Sequence, residues 1–121
     1  MAKVLLVDDH QDILYNLAEI IELFGHDVQG YLAAKDALRA APNWQPDIII
    51  TDVIMTEMDG FAFFEAIKKD KRLRNIPIVF LTAAADEETR ERAEAIGVNK
   101  FIVKPTSYEK LLDIIEAEKV D

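Results

Sequence analysis

Cysteine is absent from this chain of 121 residues, which excludes disulfides and thiolate metal sites and suits a reducing compartment. Long apolar runs are missing too. The longest are strand-sized, such as Ile78 to Leu81, far short of the roughly 20 residues that a membrane helix needs. The amino terminus, MAKVLLVDD, lacks the pattern of a cleavable signal, because acids follow its apolar run at once. Basic charge is scarce: 14 Lys and Arg stand against 23 Asp and Glu, for a formal net charge of -9. No basic stripe is available to neutralise phosphates, so direct nucleic-acid binding is not expected. Most of the surplus acid reads as a solvated face. The glycines Gly25, Gly30, Gly60 and Gly97 are scattered and form no phosphate cradle, and no repeat, low-complexity tract or linker divides the chain. The expectation is one domain over residues 1–121, soluble and cytoplasmic, large enough to bury a single core.

What is present is an alternation of strand-like and helix-like segments. Lys3 to Val7 is an apolar run ending abruptly in Asp8-Asp9-His10, a first buried strand. Apolar residues at 13, 14, 17, 20, 21 and 24 then keep helical spacing, with Gly25 placed as a C-terminal cap. His26 to Tyr31 alternates weakly and reads as a short edge strand. Ala33 to Ala41 is an alanine-rich second helix, which Pro42 is expected to close. In the stretch PDIIITDVIMTEMDG, residues 46–60, Ile48 to Ile50 form a strand apolar on both faces, as in a parallel sheet. The loop Val53 to Asp59 leads from it to a third helix carrying Phe61, Phe64, Ala66 and Ile67. Ile78 to Leu81 is a fourth strand ending in Thr82-Ala83-Ala84-Ala85. Asp86 caps a fourth helix that Gly97 terminates. Lys100 to Val103 is a fifth strand, and Thr106 or Ser107 caps a fifth helix running to about Glu118, with Leu111, Leu112, Ile114 and Ile115 near its buried stripe. Such alternation predicts an α/β fold of parallel strands joined by right-handed crossovers, with helices on both faces.

In such sheets the functional crevice lies beyond the carboxyl ends of the strands. Asp8 and Asp9 end the first strand, Asp52 the third, Thr82 the fourth and Lys104 the fifth. Three carboxylates in one crevice resist ionising together unless a cation sits between them. With oxygen ligands only and no His or Cys expected nearby, the donor set favours Mg²⁺, with Mn²⁺ as a substitute, in a site that keeps several waters. A phosphoryl group fits the spare positions. Lys104 and the Thr82 hydroxyl can then meet its oxygens, and a carboxylate oxygen can act as nucleophile on phosphorus. Taken singly, a pair of acids at a strand end reads equally well as a helix cap. The argument lies in the coincidence of all five residues on one rim.

The residues Val7-Asp8-Asp9, Pro46-Asp47 through Asp52, Met58-Asp59-Gly60, Leu81-Thr82-Ala83 and Lys104-Pro105 make the chain resemble, from end to end, a receiver domain of two-component response regulators. The resemblance implies a flavodoxin-like (βα)5 fold with strand order 2-1-3-4-5. It implies Asp52 as phosphoacceptor, Asp9 as a direct Mg²⁺ ligand, Asp8 acting mainly through metal-bound water, and the Ile54 backbone carbonyl completing the protein's metal ligands. Thr82 and Lys104 would hold the phosphoryl oxygens. Phe101 matches a switch aromatic that swings inward with Thr82, though it also reads as a core-lining phenylalanine, and Lys104-Pro105 matches a peptide that is usually cis.

Function follows as an expectation: a phosphorylation-driven switch that takes its phosphoryl group from a phosphohistidine on a sensor histidine kinase or histidine phosphotransfer protein. It would catalyse its own Mg²⁺-dependent phosphorylation and slow autodephosphorylation, with no independent turnover substrate. Docking would use Ile13, Asn16, Ile20 and the Pro105-Thr106 loop, residues equally readable as core or surface. With no output domain following the fifth helix, the chain reads as a stand-alone regulator or one receiver of a longer protein, and a phosphorylation-dependent dimer stays open. Two departures stand out: Thr56 replaces the usual loop proline, and Ile54 and Ala84 are apolar and cannot orient water, which implies a long-lived acyl phosphate. The alternative is a Mg²⁺-dependent phosphohydrolase with an aspartyl intermediate, resembling the haloacid dehalogenases. Asp8-Asp9-His10 lacks that family's Asp-x-Asp spacing, and the chain has no room for a cap domain.

Overall fold

The computed structural model describes residues 1–84 and 86–118. In chain order it runs β1 (Lys3–Val7), α1 (Gln11–Leu23), β2 (Asp27–Tyr31), α2 (Ala34–Trp44), β3 (Ile48–Thr51), α3 (Gly60–Lys69), β4 (Ile78–Thr82), α4 (Glu87–Ile96), β5 (Lys100–Val103) and α5 (Tyr108–Glu118). The strands form one parallel sheet in the order β2-β1-β3-β4-β5. The expected order and edge position of β2 are therefore observed. Ala85, at the end of the expected Thr82-Ala83-Ala84-Ala85 run, lies outside the described residues.

The central strands are apolar but for Lys3, Thr51 and Thr82 at their ends, because both of their faces are covered. Alternate residues serve different cores. Leu5, Val7, Ile49, Ile78 and Phe80 pack with Ala37 of α2 and Phe63 and Ile67 of α3. Val4, Leu6, Ile48, Ile50, Val79 and Leu81 pack with Leu14 and Ile21 of α1 and Leu111 and Ile115 of α5. A slip of one residue would exchange the two sets, so burial on both faces fixes the register.

Local chemistry sets the helix ends. Asp59 and Asp86 accept hydrogen bonds from the N–H groups of Ala62 and Thr89, at 2.8 and 3.0 Å, and so cap α3 and α4. Ser107, not Thr106, caps α5, its Oγ accepting from the Lys110 N–H at 3.1 Å. Gly97 ends α4 in the left-handed conformation at φ 90°.

Two expectations are corrected. Pro42 does not close α2 but lies inside its last turn. A proline is costly where the helix needs its N–H, but here the turn is held from outside. Half-buried Trp44 packs on the core, Gln45 N–H bonds the Ala41 carbonyl at 2.9 Å, Gln45 Nε2 the Pro42 carbonyl at 2.8 Å and Lys3 Nζ the Trp44 carbonyl at 3.2 Å. Phe24, counted with the helical spacing of α1, lies just past the end of the helix and is 65% exposed. The helix ends at Leu23, Phe24 as its C-cap has already left helical geometry at φ -94° and ψ 15°, and Gly25 at φ 91° then turns the chain away.

Candidate functional site

The ladder of the sheet continues one residue beyond three strands. The Asp8 N–H donates to the Tyr31 carbonyl at 3.1 Å, the Asp52 N–H to the Val7 carbonyl at 3.0 Å and the Lys104 N–H to the Thr82 carbonyl at 2.8 Å. Pairing sets Val7 beside Thr51 and Thr82 beside Val103, so Asp8, Asp52 and Lys104 emerge level on one edge. The start of α3 closes in from the side. A Cβ on Gly60 would lie 2.6 Å from the Asp52 carbonyl oxygen and 2.8 Å from the Val53 Cα, and the Gly60 N–H bonds the Val53 carbonyl at 2.7 Å. Only a residue without a side chain allows this approach.

The side chains converge on Lys104. Its Nζ lies 2.6 Å from Asp8 Oδ2 and 3.2 Å from Asp52 Oδ2. Asp52 is 5% exposed and Asp8 2%, so the ammonium compensates two carboxylates that water scarcely reaches. Asp52 Oδ1 accepts from the N–H groups of Val53 at 2.6 Å and Ile54 at 3.3 Å, which leaves Oδ2 as the oxygen facing the cation. Thr82 is buried beside them, its Oγ1 accepting from the Ala84 N–H at 3.1 Å. The Lys104–Pro105 peptide is cis.

Asp9 differs from its neighbours. Oδ2 accepts from the Thr56 N–H at 3.3 Å, while Oδ1 is buried with no hydrogen-bond partner. The His10 Nδ1 stands 3.3 Å from that oxygen without meeting hydrogen-bond geometry. An orphaned carboxylate oxygen costs free energy unless something compensates it. Lys104 meets Asp8 and Asp52 but not Asp9, so negative charge stays uncompensated among oxygens suited to a hard divalent ion, and the residues fit a bound cation.

His10 corrects the expectation of a site with no histidine nearby. Its Nδ1 lies 2.9 Å from Asp8 Oδ1, which also accepts the His10 backbone N–H at 2.9 Å, and ligand atoms of Asp8, His10 and Asp52 all lie within 4.8 Å of one another. The hydrogen bond to Asp8, then the charges of Asp8 and Asp9, raise the His10 pKa above its ordinary 6.5 against burial and Lys104. Adjacency in Asp8-Asp9-His10 was the available signal. Pattern alone does not say which way a ring at a helix start turns.

Other expected residues fall around the rim. Ile54 is 66% exposed, with its N–H on Asp52 Oδ1. Asn16 is exposed, and Ile13 and Ile20 are half-buried. Phe101 is half-buried, edge-on to Phe80 at 6.4 Å between centroids, and Arg90 of α4 lies 5.0 Å from its ring centre. Larger grooves, of about 520 Å³ beside α5 and about 530 Å³ between α3 and α4, lie away from Asp52, so size alone does not find this site.

Comparison with known proteins agrees with the geometry. A family model described as response regulator receiver domain matches residues 4–116. The chain is 29% identical over 117 residues to protein PilH of Pseudomonas aeruginosa, covering 97% of each. Other relatives are longer: the chain spans 54% of one and 48% of another. Among solved structures it superposes on the Vibrio cholerae chemotaxis protein CheY4 with a TM-score of 0.90 and 32% identity, covering 97% of this chain and 98% of that one. It also superposes on the receiver domain of the sensor histidine kinase PA1611 from Pseudomonas aeruginosa, which has a magnesium ion coordinated in its active site cleft. That match has a TM-score of 0.87 and 26% identity, with 96% and 95% covered.

Proposed function

The chain belongs to the family of response regulator receiver domains, phosphorylation-activated switches of two-component signalling, and we propose that Asp52 is the phosphoacceptor of this member, with Lys104 and Thr82 as the groups that meet the transferred phosphoryl. Family membership implies a histidine kinase as partner. It does not favour the phosphohydrolase alternative. The observation that carries the assignment is the Lys104 ammonium held between Asp8 and Asp52.

Asp52 Oδ2, the oxygen not taken by backbone amides, attacks phosphorus. The P–O bond to Asp52 forms as the P–N bond to the donor imidazole breaks, and the imidazole takes up a proton. Lys104 already touches the attacking oxygen and follows the charge onto the phosphoryl oxygens. The Thr82 hydroxyl, at the adjacent strand end, donates to one of those oxygens once it leaves the position in which it accepts from Ala84. Asp8, Asp9, Asp52 and the Ile54 carbonyl would hold Mg²⁺. When bound, the ion supplies positive charge to the transferring group.

Movement of Thr82 is read out through α4 and β5. Among the helices α4 buries least, with Ala93 alone inside, and the cations Arg90 and Arg92 hold it over the rings of Phe101 and Phe61. Segments with few buried contacts are those that shift at low cost, which supports Phe101 as the switch residue. The donor approaches beside Lys104, where Ile13, Asn16, Pro105 and Thr106 line a groove of about 250 Å³ fit for a helical kinase or phosphotransfer partner. A cytoplasmic location suits that chemistry, and no described helix is long and apolar enough to cross a membrane.

The test is phosphorylation by acetyl phosphate, followed by intact mass with Mg²⁺ present or chelated. Wild type is expected to gain one phosphoryl group only with Mg²⁺, and Asp52→Asn none. Multiple-turnover phosphate release from phosphomonoesters would oppose the switch reading.

A further inference from the structure

With Asp8, Asp9 and Asp52 taken as a cation site, as proposed above, the His10 imidazole at its edge has no assigned part. The Thr56 N–H, an amide that a proline at 56 would lack, holds Asp9 Oδ2 at 3.3 Å. Asp9 Oδ1, the other oxygen of that carboxylate, is buried and has no hydrogen-bond partner. His10 Nδ1 stands 3.3 Å from this oxygen and 2.9 Å from Asp8 Oδ1. Ligands about 2.1 Å from a six-coordinate ion lie about 3 Å apart when they are neighbours. The His10 nitrogen therefore has the spacing of a neighbouring corner to an oxygen of Asp8 and to one of Asp9, and ligand atoms of Asp8, His10 and Asp52 lie within 4.8 Å of one another.

We propose that His10 is a nitrogen ligand of this site and that it shifts the preference of the site from Mg²⁺ toward first-row transition ions such as Mn²⁺ and Co²⁺. An oxygen cage of carboxylates suits Mg²⁺ and Mn²⁺ alike, whereas imidazole adds little for Mg²⁺ and progressively more along the series from Mn²⁺ to Co²⁺. The same nitrogen lies at hydrogen-bond distance from Asp8 Oδ1, 2.9 Å, which keeps the ring at the mouth of the site. His26, the second of the two histidines, does not compete for the role. Its Nδ1 accepts from the Ala2 N–H at 3.0 Å, its Nε2 lies 3.0 Å from Glu116 Oε1, and its side chain is 2% exposed.

The test uses the untagged chain, with Mg²⁺, Mn²⁺ and Co²⁺ each titrated alone into wild type, His10→Ala and Asp9→Asn, and pulsed EPR of the Mn²⁺-loaded protein. Wild type is expected to show ¹⁴N modulation from a directly bound imidazole, absent in His10→Ala. In that variant Co²⁺ affinity should fall about tenfold, Mn²⁺ affinity less, and Mg²⁺ affinity should hold within about twofold, in keeping with the usual effect of altering a metal's surroundings. A merely structural role of His10 would weaken all three ions equally. That outcome, or wild type without ¹⁴N modulation, overturns the proposal. Asp9→Asn separates the two readings. If it abolishes binding of all three ions while the ¹⁴N signal is absent from wild type, His10 alone is misassigned; if it leaves binding unchanged, the cation site itself falls.

Discussion

Replacing Lys104 by methionine keeps the length of the side chain and removes its charge. The ammonium is the group within 3.2 Å of both Asp8 Oδ2 and Asp52 Oδ2, and those residues are 2% and 5% exposed. Removing one partner of a buried ion pair costs about 3–5 kcal/mol, because the other charge is left without compensation. The Lys104 side chain is 16% exposed, so water enters part of the gap, and the lower end, about 3 kcal/mol, is expected. For a domain of this size that corresponds to a fall in Tm of about 12 °C. The measurement is thermal unfolding in a chelator, repeated with Asp52→Asn and with both changes together. Neutralising Asp52 removes one of the carboxylates that Lys104 serves, so Lys104→Met should cost less in the Asp52→Asn background, with a coupling of at least about 1 kcal/mol. Added Mg²⁺ should stabilise Lys104→Met more than wild type, since it restores positive charge where the ammonium was. A Lys104→Met protein as stable as wild type in chelator, or a cycle additive within about 0.5 kcal/mol, would refute the reasoning.

Three further outcomes follow from single residues. Gly60→Ala places a methyl group 2.6 Å from the Asp52 carbonyl oxygen, against backbone rather than a flexible side chain, so urea unfolding should show a loss of about 3 kcal/mol, at the upper end of overpacking costs, with weaker phosphorylation because Asp52 shifts. The Thr89 hydroxyl, then its N–H, holds the Asp86 carboxyl below its ordinary 3.8. This cap therefore stabilises fully above pH 3.8 and is lost as pH falls through the folded-state value: the carboxyl ¹³C titration should have its midpoint below 3.8, and the Tm advantage over Asp86→Ala should fade in acid. Exposed, apolar Ile54 orients no water, so Ile54→Asn should shorten the acyl phosphate lifetime several-fold in a phosphate-release assay; a wild-type half-life of seconds would contradict this.

The sequence disclosed the fold where chemistry is local or doubly enforced. β1, β3 and β4 are covered on both faces, so their apolar runs are unambiguous, and Asp59, Asp86 and Gly97 act within one turn of where they stand. The helix ends misjudged, at Phe24 and Pro42, depend on partners far away in the chain: Trp44 is held by the core and by Lys3. The site divides the same way. Asp8, Asp52 and Lys104 were legible because parallel pairing must bring strand ends to one edge. His10 and the Thr56 amide were not, because their roles depend on the direction of a ring and of one N–H in a loop. Thr56 was visible as an irregularity, but its reach to Asp9 needed the folded loop.

The central claim is that the transferred phosphoryl group resides on Asp52, and it is tested most directly by trapping. Protein phosphorylated with acetyl phosphate and Mg²⁺ is reduced with borohydride, which converts an aspartyl phosphate to homoserine, and the peptides are sequenced by mass spectrometry. Homoserine at position 52, absent from the unphosphorylated control, is the predicted result. Homoserine at position 8 or 9 with Asp52 intact would contradict it.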